Sequence, residues 1–250
     1  MYVRRLLLNV APIVSGLLLW ELLARLALIT PQFFPPPTVV LDAAYTEIVH
    51  GEMLYHFGVS LRRIILAFAI GASTGVVAGL LMGWSRQVRL VLNPYVGLLY
   101  PVPKITLLPI SFALFGVTET ARVVTMSLAV FLLVSVSTMG GVRAIDDVYI
   151  DAAIDNGAGT IDLYREVLLP GALSQTVSGL SLGFGIGFIL IVVIEMVAAD
   201  AGLGYVIWNS WQLFTIPRLY VALMLINVIG IVFVYGIEAA GDYLTPWEGQ

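Results

Sequence analysis

Long apolar runs broken by short polar stretches set the pattern of this chain. Apolar residues dominate positions 6–29, 59–84, 90–116, 123–142, 172–199 and 221–240. A helix needs about 20 residues to cross a hydrocarbon core of about 30 Å, so each run can span a membrane. The pattern therefore predicts an all-α polytopic membrane protein with six transmembrane helices. No linker-like composition interrupts it, which predicts one domain over residues 1–250. The first run follows Arg4 and Arg5, as in a signal peptide. It runs too long for one, and "LARLALITP" has no convincing small-residue cleavage site, so it is read as a retained span. Pro94, Pro101, Pro103 and Pro109 fall within the third run, which predicts a kinked or broken span. After the first span, Pro35, Pro36 and Pro37 stiffen the connection, and a short helix is expected near 39–49.

Glycine adds a second periodicity. Gly71, Gly75, Gly79 and Gly83 repeat in the second run, and Gly179, Gly183 and Gly187 in the fifth. Residues four apart share a helix face, so each series forms a groove that another backbone can approach closely. Tight helix packing is the expected role, and a sliding or pathway-lining role is the alternative.

Composition narrows the chemistry. Of 250 residues, 60% are hydrophobic and 11% charged, too few charges to coat a soluble domain of this size. The net charge of −4 gives no reason to expect nucleic acid as a partner. With no cysteine, disulfides, thiolate metal sites and cysteine nucleophiles are excluded. His50 and His56 are read as exposed loop residues rather than ligands, and no metal site is expected. Lys104 is the only lysine and follows no glycine-rich turn, so no phosphate-cradling loop is present.

The polar passage at 143–170 stands apart. Six of the sixteen acids lie between Asp146 and Glu166. Asp146 or Asp147 can cap a helix, which should run through "VYIDAAIDN" and stop at Gly157 in a left-handed conformation. A second short helix is expected from Thr160, and Pro170 suits the first turn of the fifth span. Ala152 and Ala153 form the small centre of the first helix, flanked by acids that could pair with basic groups on a partner.

The spacing of "DAA", Gly157, Val167 and the Leu169-Pro170 pair resembles the EAA signature of permease subunits from bacterial ABC importers. Asp151 stands for Glu and Val167 for Ile. "SLRRIILAFAIGASTGVVAGLLMG", "PVPKITLLPISFALFGV" and "IEMVAADAGLGYVIW" are similar to the nitrate/sulfonate/taurine group of these permeases. The resemblance implies the type I importer permease fold with a cytoplasmic coupling-helix loop at 143–170. It implies that Asp151, Ala152, Ala153, Gly157, Val167, Leu169 and Pro170 form the ATPase-coupling element. It further implies a homodimer, two cytoplasmic ATPase subunits that bind ATP and Mg, and an extracytoplasmic binding protein. No cofactor is expected on this chain itself, which is a transport subunit and not an enzyme.

The implied location is the bacterial inner membrane. Arg4 and Arg5 favour a cytoplasmic N-terminus, and six spans then place both termini inside. That arrangement leaves six arginines inside and five outside, a small bias. Lys104, Gly183, Gly187, Glu195 and Met196 are candidates for a translocation pathway or gate. Lys104 could attract an anionic substrate, snorkel to the interface, or cap carbonyls near Pro101. Glu195 lies about 37 Å along a helix from Pro170, so it either gates the cavity, meets the binding protein, or stabilises the "AADAGLGY" connection. Glu21 and Arg25 are expected to pair. Trp208, Trp211 and Phe214 are expected to anchor at the interface. The expected cargo is a small solute, with a small organic anion such as a sulfonate or carboxylate preferred. The alternative function is an ATPase-independent carrier or channel.

Overall fold

The structure is a computed structural model that describes residues 2–246, with the backbone alone for residues 2–10. The helices are α1 (Tyr2–Arg25), α2 (Pro37–Val49), α3 (Met53–Trp84), α4 (Arg86–Leu99), α5 (Leu108–Phe115), α6 (Glu119–Arg143), α7 (Asp147–Asp155), α8 (Thr160–Leu163), α9 (Leu169–Ala198), α10 (Leu203–Gln212) and α11 (Ile216–Leu244). Among the described residues, four stretches are long and apolar enough to cross a membrane: α3, α6, 160–198 and α11. A fifth is the pair Arg86–Leu99 and Lys104–Phe115, bent by 105°. That bend is the break expected from the prolines at 94–109. The first expected span falls on α1, whose opening residues lie outside the described side chains.

The chain folds as two compact units, one of residues 1–59 and 195–227, the other of residues 60–194 and 228–250. In the second unit α6 is the most buried element, with Met126, Ala129, Val130, Leu132 and Val134 fully enclosed. Both glycine series press against it. A Cβ on Gly71 would lie 2.4 Å from the Ser127 carbonyl oxygen, and one on Gly83 2.4 Å from Val142 Cβ. On the other helix, a Cβ on Gly187 would lie 2.8 Å from Val130. These backbones approach until only hydrogen fits between them, so dispersion contacts replace the hydrophobic drive that lipid removes.

Ion pairing and ring packing complete this unit. Arg63 is 2% exposed and grips Glu119 through Nε and Nη2 at 2.6 and 2.5 Å. Arg122 Nη1 reaches the same carboxylate at 2.5 Å. Two guanidiniums so placed help satisfy a carboxylate at the N-terminus of α6, where the helix dipole also favours negative charge. Phe184 stacks on Phe233 at 4.8 Å and on Phe188 at 5.3 Å, with Phe68 edge-on.

In the first unit the expected Glu21–Arg25 pair forms at 2.5 Å. Glu21 also accepts from the Thr38 backbone N–H and hydroxyl at 3.0 and 2.8 Å. The N-terminus of α2, whose first turn carries Pro37, is thereby tied to α1. Arg218 and Glu47 approach at 3.3 Å, and Trp20 packs on Tyr220 at 5.4 Å.

Candidate functional site

The polar passage folds largely as its local chemistry dictates. Asp146 caps α7, its carboxylate accepting from the Val148 N–H at 3.1 Å. The helix stops at Asn156, and Gly157 takes φ +85, the left-handed turn its sequence predicts. Gly159 donates its N–H to Asp162 at 3.0 Å and starts α8. Pro170 lies in the first turn of α9, as expected, and residues 160–198 form one continuous helical stretch of 39 residues. A π turn at Tyr164–Leu168 joins α8 to α9, with the Leu169 N–H reaching back to the Tyr164 carbonyl. Pro170 has no N–H to offer the helix ladder, so a widened turn just before it forfeits little bonding.

The motif residues divide between two surfaces. Leu163, Leu168, Val142 and Ala172 form a buried cluster, with Ala153, Val167, Ile145 and Ile150 packed against it. Asp151, Ala152 and Gly157 face outward, Leu169 is exposed, and Pro170 is half-buried. Asp151, Ala152, Val148 and Asp155 share one face of α7 by helical spacing. Val148, Tyr149, Ile154 and Ile161 are exposed apolar residues on this loop. These four were missed by sequence reasoning, although apolar residues in an otherwise acidic passage were a visible signal. Beside α7 lies an open recess of about 660 Å³, lined by Ile145, Asp146, Tyr149, Glu166, Val167 and Pro170. The whole element is thus a small-centred, acid-flanked surface packed against the start of a membrane helix.

Of the candidate pathway residues, Lys104, Gly183, Gly187 and Glu195 each have local partners within their own unit. Lys104 Nζ donates to the carbonyls of Leu99, Tyr100 and Val102, the first at 3.2 Å and the last at 2.8 Å. These contacts engage the three N–H bonds of its ammonium, so it brackets the open end of α4 at the bend. This is the carbonyl-capping alternative. Gly183 and Gly187 face Val130 and Val134 or Met126 of α6, the packing alternative. Met196 is half-buried.

Glu195 and His56 occupy the first unit together. Glu195 is 1% exposed and accepts from the Gly204 N–H at 3.0 Å. Gly202, at φ +117, sits so close that a Cβ would lie 2.5 Å from the Glu195 carboxyl carbon. The Gly202 N–H donates to His56 Nδ1 at 3.2 Å. The expectation of an exposed His56 is corrected: it is 5% exposed and faces Tyr205 at 5.8 Å. Glu195 therefore organises the 198–204 connection, as one of its sequence readings held.

Comparison with known proteins agrees with this architecture. The family described as "Binding-protein-dependent transport system inner membrane component" matches residues 74–247. The taurine transport system permease protein TauC of Escherichia coli K12 is 32% identical over 252 aligned residues, covering 99% of this chain and 92% of TauC. The putative aliphatic sulfonates transport permease protein SsuC of Bacillus subtilis 168 is 26% identical, covering 85% of this chain and 77% of SsuC. A solved structure of the MetNI methionine ABC transporter, inward facing, superposes with a TM-score of 0.63 at 18% identity, covering 78% of this chain and 94% of that one. The chain thus belongs to the binding-protein-dependent transport system inner membrane components, the permease subunits of ABC importers.

Proposed function

We propose that this permease imports a small sulfonate or chemically related organic anion, received from an extracytoplasmic binding protein and driven by two cytoplasmic ATPase subunits. It works as one permease domain over residues 1–250, paired with a second copy and with both termini in the cytoplasm. The substrate class rests on the taurine and aliphatic sulfonate permeases named above.

The observation that carries the coupling reading is the joint between α7 and the fifth span. α7 offers an exposed face with Ala152 at its centre, while Ala153 and Val167 key the same element into the cluster around Leu168. Because Ile150 and Ala153 of α7 pack on the cluster that contains Leu163 and Leu168 and 160–198 is continuous, a push on α7 is transmitted through that packing to the helix. ATP binding closes the ATPase pair, α7 moves with it, and the attached spans turn the cavity between its two openings. The chemistry of hydrolysis stays on the ATPase. ATP and Mg bind there, and this chain supplies the moving wall.

Reconstitution with its ATPase and binding protein in liposomes tests the reading. Taurine and short alkanesulfonates should stimulate ATP hydrolysis and accumulate inside, and Gly157→Asp should abolish uptake while the permease still inserts. Uptake without ATPase, or uptake unaffected by Gly157→Asp, would overturn it.

A further inference from the structure

Helix α10 is amphipathic in an unusual way. One face, Leu203, Val206, Ile207 and Ser210, is buried in the first unit. The other presents Trp208 and Trp211, and the chain continues with Leu213 and Phe214, all exposed. Phe33 and Phe34 add two more exposed rings. Phe33, Trp211 and Phe214 form a three-ring group with centroids 6.1 to 6.5 Å apart. Tyr220 holds it in place by donating to the Phe33 carbonyl at 3.2 Å.

The end of α10 is bent to display this surface. The Thr215 N–H reaches the Ser210 carbonyl at 2.9 Å and the Phe214 N–H the Trp211 carbonyl at 3.2 Å. That is a helix stop whose left-handed position normally carries glycine. Here Phe214 occupies it, at φ +56. A bulky residue in that conformation is strained, and the strain places an aromatic ring on the exposed side.

Charge and chain length say what covers the patch. No charged residue occurs from Ala201 to Pro217 or from Leu26 to Leu41, which suits neither an aqueous surface nor a salt-bridged protein contact. The connectors 199–202 and 213–215 tether α10 to the ends of two membrane-spanning helices. At about 3.5 Å per residue they allow a reach on the order of 15 Å, so α10 stays beside the membrane surface. Tryptophan and its aromatic neighbours favour that layer, where a ring can lie in hydrocarbon and its N–H in the headgroup zone.

We infer that α10 and the Phe33–Phe34 segment form a lipid-binding anchor that lies in the interfacial layer of the bilayer, with phospholipid as its partner. The anchor sets the depth of the connection between α9 and α11 relative to the acyl–headgroup boundary.

Tryptophan quenching in phosphatidylcholine vesicles tests this, using the full chain and its Trp211→Phe variant to isolate the Trp211 signal. Lipid brominated at acyl positions 6 and 7 should quench that signal at least about twofold more than lipid brominated at 11 and 12, as expected for interfacial depth, and aqueous iodide should leave it unchanged. Phe214→Gly should keep the thermal midpoint or raise it, while reducing quenching by the shallow bromolipid. Quenching by iodide but not by bromolipid would place the face in water, as for a protein-docking surface, and overturn the proposal. Stronger quenching from positions 11 and 12 would place α10 in the hydrocarbon core and overturn it too.

Discussion

Glu195, Gly202 and His56 tie together residues up to 146 positions apart. Because Gly202 combines a positive φ with contact at the Glu195 carboxylate, Gly202→Ala should destabilise the protein by about 2–4 kcal/mol from backbone strain plus overpacking. A drop in the thermal midpoint of the purified permease would record it. Glu195→Gln keeps an acceptor for the Gly204 N–H, whereas Glu195→Ala leaves that buried donor unpaired. The alanine variant should therefore be the weaker by at least about 1–3 kcal/mol, read by the same thermal comparison. Equal midpoints for the two would refute the bracket assigned to this carboxylate. Lys104 teaches a related lesson: an intramembrane cation looked available for substrate, yet its ammonium is engaged by the carbonyls of Leu99, Tyr100 and Val102.

Among the elements, packing decides which glycines matter. Gly71 and Gly79 have a neighbouring carbonyl oxygen at 2.4 and 2.7 Å from any added Cβ. Gly71→Val or Gly79→Val should force α3 away from α6 and sharply reduce the yield of folded protein in detergent. Gly140, by contrast, has nothing within 4 Å of an added Cβ. Gly140→Ala should be neutral or stabilising by up to about 1 kcal/mol, since it removes backbone freedom from a helix interior. Loss of dimer or transport in that variant with the monomer intact would instead mark the Gly140 face as a contact between copies. The helices themselves were legible from apolar run length, and the break in the third from its prolines. The merging of α8 with α9 was not, because nothing in the polar passage announces the π turn at Tyr164–Leu168 that joins them.

At the scale of the whole molecule, the proposed coupling surface should separate binding from stability. Ala152 is exposed at the centre of the α7 face, so Ala152→Glu should leave the thermal midpoint within about 0.5 kcal/mol equivalent. It should reduce co-purification with the ATPase at least tenfold, because a bulky side chain overfills the small centre of a packed contact. Retained co-purification would move the docking surface elsewhere, toward Ile161 or the Tyr149 recess.

The sequence by itself determined the membrane class, most of the apolar helices and the form of the 143–170 loop. Those features depend on local quantities: apolar length against bilayer thickness, a carboxylate next to free helix N–H groups, a glycine where φ must turn positive. Only the tertiary structure decided that Arg63 and Arg122 converge on Glu119, that His56 is buried against Gly202, and that both glycine series meet α6. It also decided that the rings of Phe33, Trp211 and Phe214 gather on one exposed face. Each of these depends on residues distant in the chain, whose meeting is set by how the helices pack, and helical periodicity shows which face a residue occupies without saying what that face will touch.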